Sequence, residues 1–189
     1  MQACAAITPD THAKYLLING SAGSTGHSKV VINVHRMPCA NQQMLAQTLR
    51  FLAVEKPVLL DGLPWSHTFG GNHNTKVALR SGGCMYIDEG RPMPGLVDMT
   101  LTRLRRVQPT IHFNVSHGDE VMLPAPEQDD EPARRFLVPL RMMFYAGPGM
   151  PPPAWQRLQA VALRVRAVPL WPTTSRGRTE TAPANTFVS

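Results

Sequence analysis

Apolar residues fall in short runs separated by glycine, proline and asparagine. AKYLLING (13–20) is a compact apolar run closed by Asn-Gly, and VVINVHR (30–36) is rich in β-branched residues, so both predict strands. From Asn41 to Ala53 the pattern changes: Met44, Leu45, Leu49, Leu52 and Ala53 recur at helical spacing, and Lys56-Pro57 closes the segment. VLLDGLP (58–64), GCMYIDE (83–89), TIHFNV (110–115) and LRMMFYAG (140–147) predict four further strands, with helices at about 69–80, 96–107, 117–123 and 153–163 between them. The acidic, proline-bearing PAPEQDDEPARR (124–135) reads as a surface loop, and beyond Leu170 the polar, turn-rich chain offers no closing element. Alternation of strand and helix predicts an α/β fold with a mostly parallel sheet flanked by helices.

The composition supports a folded domain. The 189 residues are 43% hydrophobic and 17% charged, which excludes end-to-end disorder and suits one domain. No run approaches a membrane span, and MQACAAITPD lacks the basic and apolar regions of a secretory signal. Cys4, Cys39 and Cys84 are too few and too widely spaced for a disulfide framework or a zinc site, so a reduced, cytoplasmic setting is expected. Nineteen basic against thirteen acidic residues leave a net charge of +6. The basic groups are scattered, however, with Arg103, Arg105 and Arg106, then Arg164 and Arg166, the tightest sets. These read as solvated helix faces, and no nucleic-acid partner is expected.

Candidate chemistry begins at GSAGSTGHSK (20–29). Gly23 and Gly26 let backbone N–H groups converge on an anion, Ser24 and Thr25 offer hydroxyl donors, and Lys29 brings a mobile positive charge. Strand, glycine-rich loop and lysine in that order make a phosphate cradle. The Walker spacing fails because Lys29 stands three residues past Gly26; the dinucleotide fingerprint and the nucleophile elbow fail on spacing too.

The run S-x-G-S-T-G-x-x-K resembles the signature loop of the AMP-forming adenylate enzymes, the superfamily of acyl-CoA synthetases, luciferases and peptide-synthetase adenylation domains. Ser21, Gly23, Ser24, Thr25, Gly26 and Lys29 carry the likeness, with Ser28 where the family has proline. LPWSHTFGG (63–71) resembles the second motif, L-P-x-x-H-x-x-G, which implies that His67 lies beside the acyl substrate. GRTETAP (177–183) resembles the third, aromatic-G-x-T-E: it implies that Thr179 contacts the α-phosphate and Glu180 holds Mg²⁺, with Arg176 replacing the aromatic. FYAGPGMP (144–151) resembles the segment lining adenine and acyl group, implying roles for Tyr145 and Gly147.

The wording of VINVHRMPCANQQM, LPWSHTFGGNHN, YIDEGRPMPGL and PTIHFNV is most similar to feruloyl-CoA synthetases within that superfamily. The resemblance thus implies part of the large N-terminal domain of an acid–CoA ligase. Its expected substrates are an aromatic carboxylate, ATP and coenzyme A, with Mg²⁺ on the phosphates. Set against the family pattern, little sequence precedes the phosphate loop. The ribose-binding aspartate and the C-terminal lysine-bearing domain would lie beyond residue 189, so residues 1–189 alone are not expected to complete adenylation. A nucleotide-binding or inert remnant of such a ligase is the alternative expectation.

Overall fold

In the computed structural model, described over residues 8–10, 20–21, 29–93 and 95–188, strand parity divides the molecule into two packed faces. β3 (Val58–Asp61) pairs in parallel with β4 (Cys84–Ile87). β5 (Ile111–Val115), β6 (Met142–Ala146) and β7 (Pro172–Gly177) form a second parallel set, and β8 (Ala184–Val188) closes it antiparallel to β7. Thr110, just before β5, stitches the two sets together: its N–H donates to the Val58 carbonyl at 2.9 Å, and its Oγ1 accepts from the Val58 N–H at 2.9 Å. A short antiparallel ladder, β1 (Gly20–Ser21) with β2 (Lys29–Val30), precedes them.

Successive strand residues point to opposite faces. Leu59, Ile111, Phe113, Met142 and Phe144 therefore pack with Leu45 of α1 (Arg36–Thr48), with Leu49 just past its end and with Val77 of α2 (Thr75–Ser81). Leu60 and Met143 face the other way, joining α3 (Val97–Leu104), α4 (Ser116–Met122), α6 (Asp130–Leu137) and α7 (Pro152–Arg166). α7 starts with proline in its first turn, where no N–H is needed, and buries Ala154, Leu158, Val161, Ala162 and Val165 at helical spacing. The expected α/β architecture, mostly parallel and flanked by helices, is the architecture found.

Four expectations require correction. Residues 30–36 do not form a full strand: β2 ends at Val30, Val34 makes only an isolated bridge and α1 begins at Arg36, while the Asn33 side chain is hydrogen-bonded to distant segments. The helix expected over 41–53 accordingly starts earlier and ends at Thr48, followed by a single 3₁₀ turn at Arg50–Ala53. Residues 124–135 are helical rather than a loop, as α5 (Pro124–Gln128) and α6. Pro124 sits at a helix start, the Asp129 side chain caps α6 by accepting from the Glu131 N–H at 3.0 Å, and Ala133, Phe136 and Leu137 are buried. Acidic residues lead and arginines close α6, as the helix dipole favours. Beyond Leu170 the polar segment does close the sheet, as β7 and β8. The strand expected at 13–20 lies outside the described residues except for Gly20.

Among the described residues no helix is long and apolar enough to cross a membrane. Cys39 and Cys84 are free and exposed. Arg103 pairs with Asp88 at 3.2 Å and Glu89 at 2.9 Å, and Arg164 with Asp130 at 2.8 Å, so much of the basic charge is spent on surface ion pairs.

Candidate active site

Ligands of open α/β sheets bind beyond the carboxyl ends of the strands. The turn carrying His67 follows β3, Gly147 follows β6, and Thr179 and Glu180 follow β7 in a 3₁₀ turn (Thr179–Thr181), so all three segments leave the parallel strands at their carboxyl ends.

Asn33 ties two of these segments to the stretch that leaves β2. Its Oδ1 accepts from Asn72 Nδ2 at 3.0 Å, and its Nδ2 donates to the Thr179 carbonyl at 3.3 Å. Asn72 Nδ2 also reaches Thr68 Oγ1 at 3.0 Å. Asn41 Nδ2 donates to the Ala184 carbonyl at 2.8 Å, anchoring α1 to the start of β8. Asn33, Asn41, Thr68 and Asn72 are all buried, so these bonds are shielded from competing water.

The His67 turn is built tightly. The His67 N–H donates to the Pro64 carbonyl at 3.0 Å, and its Nδ1 accepts from the Phe69 N–H at 3.2 Å, leaving the exposed ring at the mouth of the turn. A π-helical turn (Phe69–Asn74) follows and leads into α2. A Cβ at Gly70 would lie 2.6 Å from the Pro64 carbonyl oxygen, which explains the glycine. Gly70→Ala is expected to destabilise the fold by about 2 kcal/mol, the scale of an overpacked site, read as a lower urea midpoint. An unchanged midpoint would mean that the turn is looser than drawn.

Asp61, at the end of β3, holds this turn from below. Its Oδ1 accepts from the Leu63 N–H at 3.0 Å and its Oδ2 from Asn74 Nδ2 at 3.1 Å. Burial pushes the Asp61 carboxyl up, and the Leu63 and Asn74 bonds oppose that shift. His73, next to Asn74, is fully buried: Nδ1 meets Asn74 Oδ1 at 2.9 Å, and the ring packs against Phe69, Phe113 and Phe144. Loss of hydration lowers its pKa to about 4, so it is a neutral core histidine.

The other expected site residues are placed as follows. Ser21 lies opposite Lys29 in the β1–β2 ladder, flanking the glycine-rich loop. Gly23, Ser24, Thr25 and Gly26 lie outside the described residues. Tyr145 is half-buried near the end of β6, its carbonyl accepting from Thr174 Oγ1 at 2.8 Å, and Gly147 is exposed just beyond. Thr179 is half-buried; Glu180 is exposed and has no ion-pair partner among the described residues. Among those residues there is no cluster of three or more His, Cys, Asp or Glu side chains that could hold a metal.

Sequence reasoning missed the polar groups that hold the segments together: Asn33, Asp61, Asn72, Asn74 and, on β5, His112 and Asn114. A signal was present. Asn33, Asp61, His112 and Asn114 interrupt or directly follow an apolar run, and a buried polar residue needs a partner.

A family model described as AMP-binding enzyme matches residues 7–187. Among solved structures the chain is similar to a malonyl-CoA ligase in a ternary product complex with methylmalonyl-CoA and AMP bound (TM-score 0.72, 21% identity, 90% of this chain and 34% of that one). It is also similar to McyG A-PCP complexed with phenylalanyl-adenylate (TM-score 0.75, 18% identity, 96% and 28%) and to apo MatB from Rhodopseudomonas palustris (TM-score 0.65, 24% identity, 87% and 29%). The chain thus spans about a third or less of the length of these proteins. No curated protein matches it.

Proposed function

Since this chain belongs to the AMP-binding enzyme family, we propose that it supplies the nucleotide- and acid-binding part of an AMP-forming ligase acting on an aromatic, feruloyl-like carboxylate. In that reaction a carboxylate oxygen attacks the α-phosphorus of ATP, the bond to pyrophosphate breaks, and an acyl-adenylate forms. The coenzyme A thiol then attacks the acyl carbon, losing its proton as AMP leaves.

The reading is carried by the Asn33 bridge, which links the stretch after Lys29 to the π-helical turn after His67 and to Thr179. The stretch that follows the first motif is thereby tied to the segments that resemble the second and third, beyond the carboxyl ends of β3 and β7. Ser21, Gly23, Ser24, Thr25, Gly26 and Lys29 would cradle phosphate, and Thr179 would donate to the α-phosphate. Tyr145 and Gly147 would border the adenine and acyl group, with His67 orienting the acid. An exposed carboxylate with no ion-pair partner among the described residues, at Glu180, suits Mg²⁺, which takes one or two carboxylates and completes its shell with phosphate and water. When bound, Mg²⁺ would neutralise phosphate charge.

Calorimetric titration with ATP and Mg²⁺ tests the reading. The chain is expected to bind ATP, and Lys29→Ala to weaken it by about tenfold or more, the scale of a lost charge-assisted contact. Equal affinity of the two proteins would refute the phosphate role of the loop.

A further inference from the structure

We propose that the outer edge of β4 is a self-association surface, on which a second copy of this chain adds its own β4 antiparallel about a two-fold axis beside Tyr86. Thr110 ties β3 to the start of β5, so β3 lies between β4 and β5, and among the described residues no strand pairs with the far side of β4. Exposed edge strands are templates for pairing, and soluble proteins blunt them with lysine, proline or a bulge. CMYI (84–87) has none of these. Its ladder with β3 is regular over all four residues, and Tyr86 and Ile87 are 47% and 57% exposed.

The backbone sets the register. The Cys84 and Asp88 N–H groups donate to the Pro57 and Asp61 carbonyls at 2.8 and 2.9 Å, on the β3 side. Backbone groups alternate between the two edges of a strand, so the N–H and C=O of Met85 and Ile87 face outward. In an antiparallel pair, residues opposite one another exchange both hydrogen bonds at every second position. Placing Met85 against Ile87 of the second copy, and Ile87 against its Met85, satisfies every one of these outward groups. Tyr86 then stands opposite Tyr86 of the second copy in a non-hydrogen-bonded pair, where Cα atoms approach to about 4.5 Å. A two-fold axis requires such reciprocal contacts.

Charge complementarity selects a second copy as the occupant. The groove between β4 and α3 is lined by Tyr86, Ile87 and Met99, and it also carries Asp98 and Arg106. α3 returns from the carboxyl end of β4 to the amino end of β5, so Asp98, in its first turn, and Arg106, just past its end, lie at opposite ends of the groove. Neither has an ion-pair partner among the described residues, whereas Arg103 of the same groove is already paired with Asp88 and Glu89. Antiparallel pairing sets the carboxyl end of one β4 beside the amino end of the other. Each Asp98 is thereby brought to the side of the second copy's Arg106, twice per dimer. On the opposite face of β4, Met85 and Ile87 share an apolar groove with Trp65 and Leu79, which the added strand shields from water.

Sedimentation equilibrium of the unmodified chain over a range of concentrations is expected to show a reversible monomer–dimer equilibrium, the heavier species at twice 20.8 kDa. Tyr86→Lys, which opposes two ammonium groups at the axis, is expected to weaken the dimer by about a hundredfold with an unchanged circular dichroism spectrum. Asp98→Arg and Arg106→Asp change exposed side chains. Each alone is expected to weaken the dimer by about tenfold, and the two combined to restore it, because the charges then attract again. Should Tyr86→Lys lose its fold, the charge exchange decides alone. A monomer at every concentration overturns the proposal, whatever else covers β4. So does a dimer that a folded Tyr86→Lys variant leaves intact, or one that the combined exchange fails to restore.

Discussion

Lowering the pH from 7 to 4 is expected to remove about 3 kcal/mol of folding stability through His73 alone. The imidazole ordinarily titrates at 6.5, but burial holds it at about 4 in the folded chain. Between those values the unfolded chain binds a proton that the folded chain does not, so stability rises with pH across that window and is lost as the solution is acidified. Asp61 acts in the opposite sense. Its carboxyl is raised by burial, so the folded state takes up that proton first, and the contribution grows as pH falls through its folded pKa. The net slope is therefore shallower than His73 alone would produce. Urea unfolding at several pH values between 4 and 7 reads it directly. His73→Phe, which keeps an aromatic ring among Phe69, Phe113 and Phe144, should flatten the acid limb. An equally steep limb in that variant would place the effect on other groups.

Phe144→Ala is expected to destabilise the fold by about 3–5 kcal/mol, the range for deleting a fully buried aromatic ring. Phe144 is completely buried in the middle of β6, with its ring centroid 5.7 Å from Phe69, 5.0 Å from His73 and 5.5 Å from Phe113. It thus joins β5 and β6 to the π-helical turn behind His67, and a cavity there would loosen the turn as well as the sheet. Phe144→Leu retains much of the volume and should cost less than about 1.5 kcal/mol if the site can repack. Denaturant melts of the two variants provide the comparison. Similar losses for alanine and leucine would mean that ring shape rather than filled volume governs this core. In the alanine variant the His73 acid limb should also shrink, since water entering the cavity would restore some hydration to the imidazole.

The four apolar strands at 58–61, 84–87, 111–115 and 142–146 were legible because all but the edge strand β4 are packed on both sides and read as continuous apolar runs. Helices α2 and α7 were legible from their periodicity. The 124–135 segment was misread because proline and acidic residues signal a loop and a helix start equally well. What decided between them was the burial of Ala133, Phe136 and Leu137 against α7, which local sequence does not contain. β7 was missed for a related reason: PTTSRG has little apolar content, and it is a strand because β6 and β8 hydrogen-bond its two edges.

From its residues alone this chain specified an α/β alternation, the order of three motifs and the chemistry each could serve, because hydrophobic period and turn chemistry act over a few neighbouring positions. Only the folded molecule decided that Asn33 bridges Asn72 and a carbonyl 146 residues away, that His73 stays neutral, and that His112 is oriented by Asp119. Those outcomes depend on which distant groups are brought within hydrogen-bond reach, and on how much water is excluded once both sheet faces are covered.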